Sequence, residues 1–146
     1  MAEASRSIEI NVARDKFFDI ISDYAAYPEF LTEVGLRKVT VDKVEGNAKT
    51  VTQEVEVMGK RVSYTLKMVE DRPNRITWSL ITGQMMSRNN GAWSLEEMGP
   101  SRTRATYSLE LKLGLLVPSA ITTRLAASSL PAMLEAFKKR AEGKVA

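Results

Sequence analysis

The sequence predicts an α+β fold: a curved, seven-stranded antiparallel sheet wrapped around a long C-terminal helix, with two short helices between strands one and two. Three observations predict it. Residues 5–12, and then nearly all of residues 36–113, alternate apolar and polar side chains, the period of a strand with one buried face. Closely spaced turn signals divide the second stretch, and strands joined by short turns must run antiparallel. Residues 119–142 then change to the helical period.

In the first strand Ile8, Ile10 and Val12 share one face, and Ser7, Glu9 and Asn11 the other. Over residues 13–22 the period switches, with Phe17, Ile20, Ile21 and then Tyr24 at helical spacing among Arg14, Asp15, Lys16 and Asp19. Asp23 suits the N-cap of a second short piece, residues 24–31, kept irregular because Pro28 disfavours a helical Tyr27. Turn signals at Glu45-Gly46-Asn47, Met58-Gly59-Lys60, Asp71-Arg72-Pro73-Asn74, Thr82-Gly83-Gln84 and Met98-Gly99-Pro100-Ser101 then separate six strands.

Alternation gives each of these strands an inner face. It carries Val51, Gln53, Val55 and Val57; then Val62, Tyr64, Leu66 and Met68; then Ile76, Trp78 and Leu80. The series continues with Asn89, Gly91, Trp93 and Leu95, and with Thr103, Ala105, Tyr107, Leu109, Leu111 and Leu113. Thr52, Glu54, Glu56, Arg61, Lys67, Arg104, Thr106, Glu110 and Lys112 make the opposite face wet, so one side needs a cover. The helix over residues 119–142 supplies it with Ile121, Leu125, Met133, Leu134, Phe137 and Ala141. Pro118 suits its start, Lys138, Lys139 and Arg140 suit its end, and Pro131 predicts a kink or break at residues 127–130.

The chain has 146 residues, no cysteine and no histidine. That length predicts one domain over residues 1–146. Disulfides, thiolate nucleophiles and cysteine-held metals are excluded, and the commonest neutral-pH base and metal ligand is missing. An enzymatic role is therefore the weaker reading, and no cofactor or metal is called for. Tyr64, Tyr107, Arg88, Glu97 and Asp23 are the groups on offer for proton transfer, with Glu97 the carboxylate expected on the apolar face. The net charge of +3 is scattered, so nucleic-acid binding is not indicated. Residues 1–6 lack the pattern of a secretory signal and no apolar run is long enough to span a bilayer, so a cytoplasmic location is expected.

Ser22-Asp23-Tyr24, Tyr27-Pro28-Glu29-Phe30-Leu31, Gly91-Ala92-Trp93, Thr103-Arg104-Ala105-Thr106-Tyr107, Val117-Pro118 and Phe137-Lys138-Lys139-Arg140-Ala141-Glu142 follow one another over nearly the whole chain. In this order they resemble the START-like (SRPBCC) superfamily, and within it the polyketide cyclase/dehydrase and coenzyme Q-binding branch. The resemblance implies a helix-grip fold with a deep cavity between sheet and helix for lipids, isoprenoid quinones or polyketides. Members act as carriers, as aromatase/cyclases or as partners of large assemblies such as the ribosome.

Such a cavity would be lined by Gln53, Tyr64, Met68, Trp78, Asn89, Trp93 and Tyr107 from the sheet and by Leu125 and Met133 from the helix. Each aromatic residue also fits an ordinary core position, whereas the amides of Gln53 and Asn89 must find partners if buried. Leu115, Leu116 and Val117, with Leu113, Leu31, Val34 and Leu36, form either an apolar lip for transient membrane contact or a patch packed on itself. Lys138, Lys139 and Arg140 fit an anionic-lipid patch or a solvated helix end. The expected function is that of a carrier or chaperone for a hydrophobic small molecule. A polyketide aromatase/cyclase or dehydratase and a macromolecule-binding module such as a ribosome-associated regulator are the alternatives.

Overall fold

The computed structural model describes residues 2–57, 59–114 and 129–145. Strand β1 (Ala2–Ile10) leads into helix α1 (Arg14–Ser22) and two 3-10 turns, Tyr24–Glu29 and Thr32–Val34. Strands β2 (Leu36–Glu45), β3 (Ala48–Val57), β4 (Lys60–Asp71), β5 (Arg75–Gly83), β6 (Met86–Gly99) and β7 (Arg102–Leu113) follow, and helix α2 spans Leu130–Val145. The strands form one sheet in the order β1-β7-β6-β5-β4-β3-β2, each pair antiparallel. Register shifts in the β2–β3, β4–β5 and β6–β7 ladders add the local twist that bends such a sheet.

The alternation expected from the sequence sets the two faces. Val51, Val62, Leu66, Met68, Ile76, Trp78, Trp93, Leu95, Ala105 and Leu111 are buried on the inner face. Phe17, Phe18 and Ile21 of α1 and Leu134, Phe137 and Ala141 of α2 are buried over it. Some boundaries differ from expectation. β1 begins earlier than residue 5 and ends at Ile10, and Val12 is buried after the strand, where its carbonyl accepts from Thr103 Oγ1 at 2.8 Å. The second helical piece is 3-10 rather than α, consistent with Pro28 inside it, and Asp23 makes no side-chain cap. Pro131 is the second residue of α2; the expected helical residues 119–128, and with them the first half of the expected kink at 127–130, lie outside the described residues.

A half-buried ionic latch ties the 3-10 turn to the sheet. Tyr24 Oη donates to Glu70 Oε2 at 2.7 Å, and Lys49 Nζ reaches the same oxygen at 3.0 Å while lying 5.5 Å from the centre of the Tyr24 ring. Next to it the Tyr27 hydroxyl donates to the Ile21 carbonyl. Burial pushes both phenols well above their ordinary range, and for Tyr24 the bond to Glu70 adds to the rise. A different constraint acts at Gly91, where a Cβ would run into the Trp78 ring and the Ser108 carbonyl.

Gly91→Ala should therefore cost about 1–3 kcal/mol as overpacking, read from the urea midpoint. Tyr24→Phe removes a charge-assisted bond and should cost about 1.5–3 kcal/mol by the same measurement. A phenol whose pKa is raised on folding stabilises fully below its unfolded value and loses that contribution as pH rises toward the folded one. As far as Tyr24 and Tyr27 govern it, the urea midpoint should hold through the neutral range and fall above about pH 10.

Candidate functional site

The inner face near the β3, β4, β6 and β7 ladders gathers most of the polar residues singled out in the sequence. Gln53 and Tyr64 stand opposite each other in the β3–β4 register, and Tyr64 Oη donates to Gln53 Oε1 at 2.8 Å. Across β5 and β6, Trp78 Nε1 donates to Asn89 Oδ1 at 3.2 Å. The Tyr107 ring sits beside both tryptophans, 5.2 Å from Trp78 and 5.0 Å from Trp93 between centroids. Each amide oxygen is thus occupied by an aromatic donor.

The donors are less committed. The Gln53 amide nitrogen and the Tyr107 hydroxyl have no hydrogen-bond partner among the described residues, and the Asn89 amide nitrogen meets only the Met86 sulfur, at 4.0 Å. Burial pushes the Tyr64 and Tyr107 phenols up, and Tyr64 adds to the shift at Tyr107. Both remain neutral O–H groups at physiological pH. A surface of this kind can donate to a neutral acceptor but has no general base to offer.

The sequence-derived residues divide by accessibility. Gln53, Tyr64, Tyr107 and Met133 are half-buried, as are the neighbouring inner-face residues Val55, Leu80 and Leu109. Trp78 and Asn89 are buried, with only a small accessible remainder. Met68 and Trp93 are packed core: Trp93 is enclosed by Phe17, Tyr107 and Phe137 at 5.0–5.6 Å between ring centroids. Leu125 lies outside the described residues, as do Leu115, Leu116 and Val117 of the expected lip. Leu31 and Leu36, expected near that lip, are buried in the core.

The carboxylate on the apolar face is Glu70, not Glu97. Glu97 follows the inner parity but is exposed near the end of β6, whereas the Glu70 side chain is 12% exposed. Glu70 and Lys49 sit where their strands approach a turn, one step of the alternation beyond Met68 and Val51, and were not among the inner-face residues expected from the sequence. The 3-10 turn that supplies Tyr24 brings a donor to the Glu70 carboxylate there. Arg140, in the basic run of α2, bonds Glu29 at 2.7 Å and lies 5.2 Å from the Phe30 ring centre, so it fastens the helix rather than standing free for an anion. Among the described residues no group of three or more acidic, histidine or cysteine side chains could hold a metal. No described helix is long and apolar enough to cross a membrane.

Comparison with known proteins agrees with this architecture. Among solved structures, a START superfamily protein from Mycobacterium smegmatis superposes with a TM-score of 0.85 at 20% identity, covering 97% of this chain and 98% of that one. An aromatase/cyclase, Zhui, from Streptomyces sp. R1128 gives 0.83 at 17% identity, with 99% and 96% covered. A major latex-like protein from Panax ginseng gives 0.72 at 11% identity, with 95% and 96% covered. At these identities the likeness shows the fold. No curated protein sequence matches. The family model described as "Polyketide cyclase / dehydrase and lipid transport" matches residues 10–138, and the chain belongs to that family.

Proposed function

We propose that this protein is a carrier or chaperone that holds a hydrophobic, neutral small molecule, such as a lipid, an isoprenoid quinone or a polyketide-like compound, between the sheet and the C-terminal helix. The observation that carries the reading is the state of Tyr64 and Tyr107. Both keep accessible surface, yet desolvation raises both pKa values. That combination fits rings facing an enclosed space rather than bulk water. Val55, Leu80, Leu109 and Met133 offer apolar walls, and Gln53, Asn89 and Tyr107 offer donors to a carbonyl or ether oxygen. Trp78 supplies a flat surface. Met68 and Trp93 are packed into the core of the same face. The charged pair of this face, Lys49 and Glu70, is committed to Tyr24. A cytoplasmic site of action and a single domain over residues 1–146 accord with the reading, with Leu115, Leu116 and Val117 as the segment for transient membrane contact.

The likeness to an aromatase/cyclase supports a second reading, in which a bound polyketide is oriented for cyclisation. The neutral phenols argue against a protein base, so any such activity would come from positioning.

Organic extraction of purified protein followed by mass spectrometry should recover a lipophile, and added quinone or lipid should raise the melting temperature. Recovery of nothing, with no thermal shift, defeats the carrier reading. Tyr107→Phe removes a hydroxyl that bonds nothing in the described protein, so it should leave the urea midpoint unchanged. It should weaken binding of a carbonyl-bearing ligand by about 0.5–1.5 kcal/mol, measured by fluorescence titration. Ligand affinity should stay level between about pH 6 and 9, because neither inner phenol titrates there.

A further inference from the structure

The two amides of the inner face are held by donors of different kinds. An indole N–H can only donate, so the bond from Trp78 Nε1 fixes the Asn89 amide with its oxygen toward the indole and its nitrogen away. A phenol can donate or accept, so the Tyr64 hydroxyl that meets Gln53 Oε1 could equally receive the Gln53 amide turned over. Asn89 therefore has one orientation, whereas Gln53 has two.

In that one orientation Asn89 has N–H groups to spare. Its nitrogen lies 4.0 Å from the Met86 sulfur, a weak acceptor at the limit of bonding distance, and 7% of the residue's surface stays accessible. Tyr107 is the neighbouring donor, because its ring lies 5.2 Å from that of Trp78, the partner of Asn89. The Tyr107 hydroxyl has no partner among the described residues. No buried side-chain nitrogen or oxygen among those residues lacks one, so this hydroxyl must keep accessible surface. Around Trp78, the groups left to be satisfied are donors. A carbonyl oxygen has two lone pairs and no proton, and can take both bonds. An alcohol of the same shape can take them too, but it brings a proton of its own. The amide oxygens that could receive that proton are turned to Trp78 and Tyr64, and a buried O–H without a partner is costly.

We propose that Asn89, oriented by Trp78, and Tyr107 form a two-donor site that holds a carbonyl-bearing ligand in preference to the corresponding alcohol. The proposal rests on the ligand-binding reading above and narrows the chemical class of the ligand. Asn89 and Tyr107 touch the ligand, and Trp78 is a positioning residue. A quinone is then held more tightly than its reduced, dihydroxy form.

Fluorene, 9-fluorenone and 9-fluorenol share one ring skeleton and differ at a single carbon, so their affinities for the whole chain can be compared by isothermal titration calorimetry. Fluorenone should bind about tenfold more tightly than fluorenol. Its infrared carbonyl stretch should move to lower frequency on binding. Trp78→Phe frees the Asn89 oxygen to accept, and should cut the preference to within about twofold. A general loss of packing would weaken both ligands and leave that ratio alone. Tyr107→Phe should weaken fluorenone and fluorenol alike, by about threefold to tenfold relative to fluorene, and reduce the infrared shift. Asn89→Asp keeps an oxygen for the indole and replaces the N–H donors by an acceptor, so it should reverse the preference; it decides the matter if Trp78→Phe fails to fold by circular dichroism. Equal affinities of the parent for fluorenone and fluorenol, or a preference unchanged in the Trp78 and Asn89 variants, overturn the site, and fluorene binding then leaves the carrier reading standing. A parent protein that binds none of the three overturns both.

Discussion

The arrangement depends on one ring. Phe137, near the middle of α2, meets Tyr27 at 5.2 Å, Phe30 at 5.1 Å and Trp93 at 5.1 Å between centroids, in each case close to edge-on. It therefore joins the terminal helix, the 3-10 turn and the sheet at a single point. Edge-to-face pairs are worth about 0.5–1.5 kcal/mol each beyond their burial, so three on one side chain make a strong pivot. Through Trp93 the contact extends to Tyr107 and Phe17, so the part of the inner space near α1 is filled by aromatic rings. The half-buried residues Gln53, Tyr64, Leu80 and Leu109 mark the part where this packing gives way.

Charge is distributed around that division. On the wet face, ion pairs such as Arg102–Glu9, Arg37–Glu56 and Arg88–Glu110 cross between neighbouring strands, where solvent makes each worth little. On the inner face the charged pair Lys49 and Glu70 is drawn into the Tyr24 latch. The polar groups left over are neutral, and a neutral lining avoids the large cost of desolvating an ion when an apolar molecule arrives.

Much of this was legible in the residues because strands with one dry face must alternate. The sequence of faces from Val51 to Leu111 needed nothing else, and the short turns forced the antiparallel order. The break at Pro28 also pointed to an irregular second helix. Alternation is silent on other matters. It pointed to Glu97 as the inner carboxylate, whereas the approach of Tyr24 from a distant 3-10 turn makes Glu70 the one held there. It grouped Leu31 and Leu36 with a lip by their place in the chain, although tertiary packing buries both. Nor does it reveal how far two strands with correct faces stay paired, so the restriction of the β5–β6 ladder to four rungs, Arg75↔Ser94 to Trp78↔Gly91, had no signal in the side-chain pattern. The aromatic residues chosen as cavity walls differ for a related reason: Trp93 and Trp78 have the same parity, but it is Trp93 that the rings of Phe17 and Phe137 meet.

The pairing of β1 with β7 bears on how the molecule comes to exist. Ser7 bonds Thr106 across 99 residues of sequence, and the whole β1 ladder has comparable separations. While the chain is being made, its first strand has no partner until the last strand has emerged. The meander from β2 to β7, built from neighbours, can assemble in the interval. The edge offered by β7 and the waiting β1 are then the sticky elements of a partly made protein. Late closure by β1 would make this rung-by-rung union a slow step of folding and the point at which a nascent copy is most exposed to pairing with another.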